Sequence, residues 1–129
     1  MLKVHVVDGL YRHASNVGHA CEVPAGARLL FTNGEVGTRP DGSTPKAAAD
    51  QARVAFERLS AVLAQAGMSL QDVVRFTAYL LERGDVRNFV EVRDELLGGH
   101  KPPALIIVVK GLARPELKIE IEAIAAKVD

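Results

Sequence analysis

Two glutamates, Glu120 and Glu122, alternate with apolar residues in the stretch KIEIEAIA. Side chains two positions apart on a β-strand point to the same face of a sheet, so both carboxylates would lie together on a strand that is otherwise apolar. A carboxylate in a partly dry cleft can act as a general base or position a water molecule. The alternative is a solvated or ion-paired strand face, with Arg75 on another predicted strand as the structural partner.

A histidine and the single cysteine form a second candidate pair. His19 and Cys21 would share a face if their segment were a strand. His19 could supply a proton or a charge, and a Cys–His nucleophile pair is known chemistry. Lone cysteines are commonly inert, which favours a structural role for both residues. The other histidines, His5, His13 and His100, lack the spacing of metal ligands, so we expect no metal site.

Composition narrows the class of protein. The chain has 129 residues, of which 48% are hydrophobic and 25% charged, with a formal net charge of zero. We therefore expect one domain spanning residues 1–129 and no nucleic-acid binding through bulk charge. No apolar run approaches the roughly 18 residues of a membrane span. One cysteine cannot form an intrachain disulfide, which fits the cytoplasm.

Two helices are predicted, and the first has the clearest signals. Thr44 can cap it, Pro45 suits its first position, and Gly67 can end it in the left-handed conformation. Small and apolar residues recur between them at helical spacing. A second helix follows a cap at Asp85 and stops at the glycine pair that begins at Gly98.

Six strands surround these helices in the order β-β-β-α-β-α-β-β, and the last two resemble a hairpin. This order predicts an α+β fold in which two helices pack on one face of a mostly antiparallel six-stranded sheet. Two helices cover one face only, yet the strands around Val74 and Leu105 are apolar or semi-apolar on both faces. We therefore expect self-association, with a site where subunits meet.

Three stretches together resemble the RidA family, also called YjgF-type or L-PSP-type proteins: LLFTNGEVG, AFERLSAVLAQAGMSLQDVVRFTAYL and ARPELKIEIEAIA. The resemblance extends roughly from Val17 to Ala126. It implies a homotrimer of chorismate-mutase-like subunits with clefts between neighbours. It also implies hydrolysis of reactive enamines and imines to keto acids and ammonia, without metal or cofactor, while some members are described as ribonucleases.

The resemblance assigns roles residue by residue. Glu120 matches the glutamate that positions the attacking water. Leu105 stands where active deaminases carry an arginine that binds the substrate carboxylate, and with Ile107 it would form an apolar wall instead. Other substrate-binding positions of the cleft correspond here to Val17 (or His19, where the match is loose), Asn33, Gly34 and Val90.

Three functions follow as hypotheses. The first is a cofactor-independent deaminase acting on a small imine, enamine or amino-substituted intermediate, with Glu120 handling water. The second is a non-catalytic trimer that binds a small ligand between subunits. The third, an L-PSP-type endoribonuclease, is disfavoured by the neutral net charge and by an aromatic content of only 5%.

Overall fold

Both helices of the described residues pack on one face of a five-stranded sheet, and no helix of those residues covers its other face. The computed structural model describes residues 1–11 and 17–129. No helix in these two ranges is long and apolar enough to cross a membrane. The strands and helices are β1 (Lys3–His5), β2 (Ala20–Glu22), β3 (Arg28–Phe31), β4 (Glu35–Val36), α1 (Ala48–Gln65), β5 (Val73–Leu80), α2 (Val86–Leu97), β6 (Ala104–Val108) and β7 (Ile119–Lys127).

The α+β class is confirmed, but the sheet differs from the predicted six-stranded one. The main sheet has the order β3-β7-β5-β6, with β4 also paired to β7. Strands β1 and β2 pair only with each other, as a separate two-stranded sheet. The prediction was wrong because alternation identifies a strand but not its partner.

The last two strands do not form the hairpin that the sequence suggested. β5 lies between β6 and β7, antiparallel to β7 and parallel to β6. The helix α2 makes the crossover from β5 to β6, which is the connection that a parallel pair requires.

Apolar side chains fill the space between the helices and the sheet. Phe56 of α1 packs edge-to-face on Phe76 of β5, with ring centroids 6.2 Å apart. It also stacks on Phe89 of α2, with ring centroids 6.0 Å apart.

A β-bulge lies between Val73 and Arg75 at the start of β5, and both Val73 and Val74 are buried there. Only the later part of β5 therefore keeps the strict alternation of faces that the sequence predicted.

The first helix ends as predicted but begins later. Gly67 has a φ of 71°, the left-handed conformation expected after the last turn. Helix α1 starts at Ala48 rather than at Pro45, and no side chain caps it. The Thr44 hydroxyl instead lies 3.2 Å from that of Thr38, so a tertiary contact replaces the predicted cap.

A buried glutamine joins this helix to the strand that carries the two glutamates. Gln51 has no solvent exposure. Its Nε2 donates to the carbonyl oxygens of Pro45 at 2.8 Å and Glu116 at 3.0 Å, and its Oε1 accepts from the N–H of Lys118 at 2.8 Å. These bonds hold the chain just before β7, and thereby help to set the position of Glu120.

Substituting Gln51 by leucine is expected to lower the free energy of unfolding by about 2–4 kcal/mol, because three backbone groups in part-buried hydrogen bonds lose their partner. Urea unfolding followed by circular dichroism measures this change. Gln65→Leu, at the exposed end of the same helix, is the control and should change stability by less than about 0.5 kcal/mol. Equal losses in the two variants would contradict the role of Gln51.

Candidate functional site

The face of the main sheet that the two helices leave uncovered, here called the open face, carries both glutamates and the other residues listed below. Residues paired directly across neighbouring strands point to the same face, which identifies its members. They come from β3, β5, β6 and β7: Phe31, Arg75, Thr77, Tyr79, Leu105, Ile107, Glu120, Glu122 and Ile124.

The two glutamates lie on the open face, as their spacing predicted. Glu120 pairs with Tyr79 across β5 and β7, and Glu122 pairs with Thr77. The Tyr79 hydroxyl donates a hydrogen bond to Glu122 Oε1 at 2.9 Å. Within the described residues the side chain that binds Glu122 is therefore Tyr79, and not Arg75, which the ion-paired alternative had suggested. The alternation of Tyr79 with Thr77 and Arg75 was the sequence signal for its position on this face.

The tyrosine is held in its protonated form. The hydrogen bond to Glu122, followed by partial desolvation and the negative charges of Glu122 and Glu120, raises the pKa of Tyr79 above its ordinary value. A protonated phenol can only donate to a carboxylate, so one oxygen of Glu122 is occupied while the other is left for a further contact.

Glu120 is seated against a glycine. Strand β4 pairs with β7 so that Val36 lies opposite Glu120, and this register brings Gly34 beside the carboxylate. A Cβ atom added to Gly34 would lie 2.1 Å from Glu120 Oε2 and 3.0 Å from its Cδ. The carboxylate therefore occupies the space that any other residue at position 34 would fill. The structure thus brings together Gly34 and Glu120, two of the predicted site residues.

Gly34→Ala is expected to displace the Glu120 carboxylate while leaving the fold intact, because the added methyl group meets the end of a side chain that can rotate away. A crystal structure of the variant should show Glu120 in another rotamer, and urea unfolding should change by less than about 1.5 kcal/mol. Gly84→Ala is the control, since a Cβ there meets nothing within 4 Å. If the Glu120 side chain kept its rotamer in Gly34→Ala, its proposed contact with Gly34 would be contradicted.

The apolar wall lies farther from Glu120 than expected. Leu105 and Ile107 are on the open face and remain 44% and 37% exposed. They pair with Thr77 and Tyr79 of β5, which separates them from β7. The distance from Ile107 to Glu120 is therefore two strand spacings, roughly 10 Å. The prediction of adjacent acidic and apolar strands was wrong, because the two strands are not neighbours.

Two further predicted residues lie on different sides of the sheet. Asn33 is exposed beside Gly34, and its carbonyl oxygen accepts a hydrogen bond from the Thr32 hydroxyl at 2.9 Å. Val90 is half-buried on α2 and so belongs to the helical layer. Within one protomer the sheet separates Val90 from Glu120.

The residues before β2 lie near the other end of β5. Val17 is half-buried, and the N–H of the following Gly18 donates to the carbonyl oxygen of Lys101, just before β6. His19 Nδ1 accepts a hydrogen bond from the backbone N–H of Val7 at 2.9 Å. For Val17 and His19 to share a site with Glu120, a second copy of the chain must bring them there.

The cysteine does not have the environment of a nucleophile. Burial raises the pKa of the Cys21 thiol above its ordinary value, only partly offset by a hydrogen bond with the backbone of Lys3. A raised pKa disfavours the thiolate, which is the reactive form. This environment supports the structural interpretation of Cys21 rather than a Cys–His pair.

Comparison with known proteins gives consistent matches over most of the chain. A family model described as Endoribonuclease L-PSP matches residues 19–127. RutC family protein PYRAB12510 from Pyrococcus abyssi (strain GE5 / Orsay) is 34% identical over 121 residues, covering 92% of this chain and 87% of the relative. TdcF of Escherichia coli (strain K12), named as a candidate reactive intermediate deaminase, is 30% identical over 103 residues, covering 77% of this chain and 79% of the relative. The crystal structure of YyfB from Yersinia pestis, a Rid family protein of unknown function, has a TM-score of 0.87 and 26% identity, and the match covers 98% of each chain.

Proposed function

Because the chain belongs to the RidA/YjgF family, the family described as Endoribonuclease L-PSP, we propose that it hydrolyses a small imine, enamine or amino-substituted intermediate with the help of Glu120. The observation on which this proposal rests is the close contact between the Glu120 carboxylate and Gly34. A carboxylate packed against a glycine backbone is held in place, and its free oxygen edge can face a ligand. This family includes relatives named as reactive intermediate deaminases, which agrees with such chemistry.

The proposed reaction needs one carboxylate and one water molecule. Glu120 accepts a proton from water as the water oxygen bonds to the imine carbon and the C=N π electrons move to nitrogen. The proton returns from Glu120 to the nitrogen of the resulting carbinolamine. The hydroxyl proton then passes through the Glu120 carboxylate to the same nitrogen, the C–N bond breaks so that ammonia leaves, and the C=O bond forms. An enamine enters this sequence after it tautomerises to the imine.

The charges around Glu120 define the substrate class. Glu120 and Glu122 lie two residues apart on β7, whereas Leu105 offers no cation where the resemblance implies an arginine. A simple carboxylate near Glu120 would face negative charge without a compensating cation. We therefore expect neutral or amine-bearing imines to be preferred over 2-iminopropanoate and 2-aminoacrylate.

We further propose that the protein is a cytoplasmic homotrimer whose sites lie between subunits. Phe31 and Leu29, two residues apart on β3, both lie on the open face and are 68% and 55% exposed. The apolar residues Leu105 and Ile107 of β6 are exposed on the same face. Exposed apolar area of this kind marks an interaction surface, and a second copy is the partner that the family resemblance implies. Light scattering at micromolar concentration should give the mass of a trimer, and a monomeric mass would contradict the assembly.

Release of ammonia from freshly generated imines tests the enzymatic proposal directly. The wild-type protein should accelerate hydrolysis of neutral or amine-bearing imines above the rate in buffer, and should act weakly on carboxylate-bearing ones. Each imine is generated in place, because these compounds hydrolyse spontaneously. No acceleration with any imine of either class would contradict the proposal.

A non-catalytic trimer that binds a small ligand is the second candidate. The exposure of Leu105 in place of a carboxylate-binding arginine favours it, because an apolar wall can bind a ligand without assisting its hydrolysis. A thermal-shift screen of small metabolites distinguishes the two functions. Compounds that raise the melting temperature while no ammonia is released would support the binding role.

A further inference from the structure

A pocket on the open face lies between β3, β5 and β7, and the proposed reaction makes no use of it. Its cavity volume is about 370 Å³. A cavity of this size suits a small molecule of a few non-hydrogen atoms. The side chains from the open face that line it are Phe31, Arg75, Thr77, Glu122 and Ile124.

The pocket contains one cation and one anion that do not bind each other. Arg75 pairs across the sheet with Ile124, and Glu122 pairs with Thr77, so the two charged residues are diagonal neighbours. Long side chains at diagonal positions are within reach of each other. Nevertheless, within residues 1–11 and 17–129 no ion pair joins Arg75 to Glu122. Both charged residues line the same pocket.

The carboxylate of this pocket is already oriented. The Tyr79 hydroxyl binds Glu122 Oε1 at 2.9 Å, which leaves Oε2 for another donor. Tyr79 thus acts as a positioning residue for Glu122. Thr77 also lines the pocket, and its hydroxyl can donate a further hydrogen bond.

We propose that this pocket binds a zwitterionic aliphatic α-amino acid, with its carboxylate on the Arg75 guanidinium and its ammonium group on Glu122. A simple anion would face Glu122 and a simple amine would face Arg75, so only a ligand that carries both charges satisfies the two residues. Phe31 and Ile124 supply apolar contact for the ligand side chain. The guanidinium is suited to a carboxylate because it can donate two parallel hydrogen bonds.

The Arg75 end of this site is remote from Glu120, and the pocket lining does not include Glu120, although Glu122 lies only two residues from it on β7. Tyr79, which lies opposite Glu120, is four residues beyond Arg75 on β5, a separation of roughly 13 Å along the strand. A small molecule cannot contact both Arg75 and Glu120. The inference therefore does not rest on the proposed hydrolysis, and in the proposed trimer a neighbouring copy would enclose the pocket.

Calorimetry with L-valine and two singly charged analogues tests the proposal. 3-Methylbutanoate lacks the ammonium group, and 2-methylpropan-1-amine lacks the carboxylate. We expect L-valine to bind and each analogue to bind at least about tenfold more weakly. Arg75→Gln and Glu122→Gln should each weaken L-valine binding at least about tenfold, whereas Glu120→Gln, the matched control on the same face, should leave it unchanged.

Several results would overturn the proposal. One is the absence of L-valine binding at millimolar concentration. A second is a loss of binding in Glu120→Gln alone, which would place the ligand beside Glu120. A third is reduced assembly in Arg75→Gln and Glu122→Gln with unchanged L-valine affinity, which would show that these charges join copies of the chain. Circular dichroism and light scattering on each variant separate this third result from loss of the fold.

Discussion

Glu120→Gln is expected to reduce imine hydrolysis by at least about a hundredfold, because a positioned general base commonly contributes a factor of this size or more. Glutamine has nearly the same volume and can still form hydrogen bonds beside Gly34, but it cannot accept the proton of the attacking water. The fold and the trimer should remain. The measurement is the rate of ammonia release per subunit, together with the mass of the variant by light scattering.

Glu122→Gln is the matched control, since it removes the same charge from the same strand and the same face. Its turnover of neutral imines should stay within about threefold of the wild type, because its carboxylate is bound by Tyr79 and lies outside the seat on Gly34. If Glu122→Gln lost the activity and Glu120→Gln failed to assemble, the roles of the two carboxylates would have to be exchanged.

Leu105→Arg is expected to raise kcat/KM for 2-iminopropanoate by about 10- to 100-fold, the effect of one charge-assisted carboxylate contact. Leu105 is 44% exposed on the open face, so an arginine can extend from β6 without entering the core. Hydrolysis of neutral imines should change little. Parallel assays of ammonia release from carboxylate-bearing and neutral imines measure the difference.

Val108→Arg provides the control for added charge, because Val108 is also exposed but is next to Ile107 and so points away from the open face. It should leave both substrates unaffected. An equal increase in kcat/KM for 2-iminopropanoate in Leu105→Arg and Val108→Arg would mean that long-range attraction causes it, and not direct contact between the arginine and the substrate carboxylate. No gain in Leu105→Arg would mean that the position does not face the reacting substrate.

The helices and the faces of the strands were predictable because they depend on local periodicity. Gly67 ends α1 as its freedom to adopt a positive φ suggested, and Glu120 and Glu122 share a face because they are two residues apart. Strand order was not predictable in this way. Nothing in the alternation of β6 and β7 shows that β5 lies between them, since pairing is decided by the packing of the whole sheet.

The site was predictable only in part, for the same physical reason. The glutamate could be identified from the sequence, but its contact with Gly34 depends on the register between β7 and the two-residue strand β4. The burial of Gln51 could not be predicted from its alanine-rich helix, because two of its three hydrogen-bond partners, the backbone groups of Glu116 and Lys118, are far away in sequence. Likewise, the contact between Thr44 and Thr38 overrode a local capping preference.

The position of β7 also determines when this protein can fold. β7 is one of the two inner strands of the main sheet and pairs with β3, β4 and β5, yet it is the last of these four strands to be synthesised. Such long-range pairing gives a high contact order and slow folding. Until β7 emerges, the nascent chain exposes the apolar sides of both helices, including Phe56 and Phe89, and must be protected from aggregation. Because Glu120 arrives on this strand, completion of the sheet and assembly of the site are a single event.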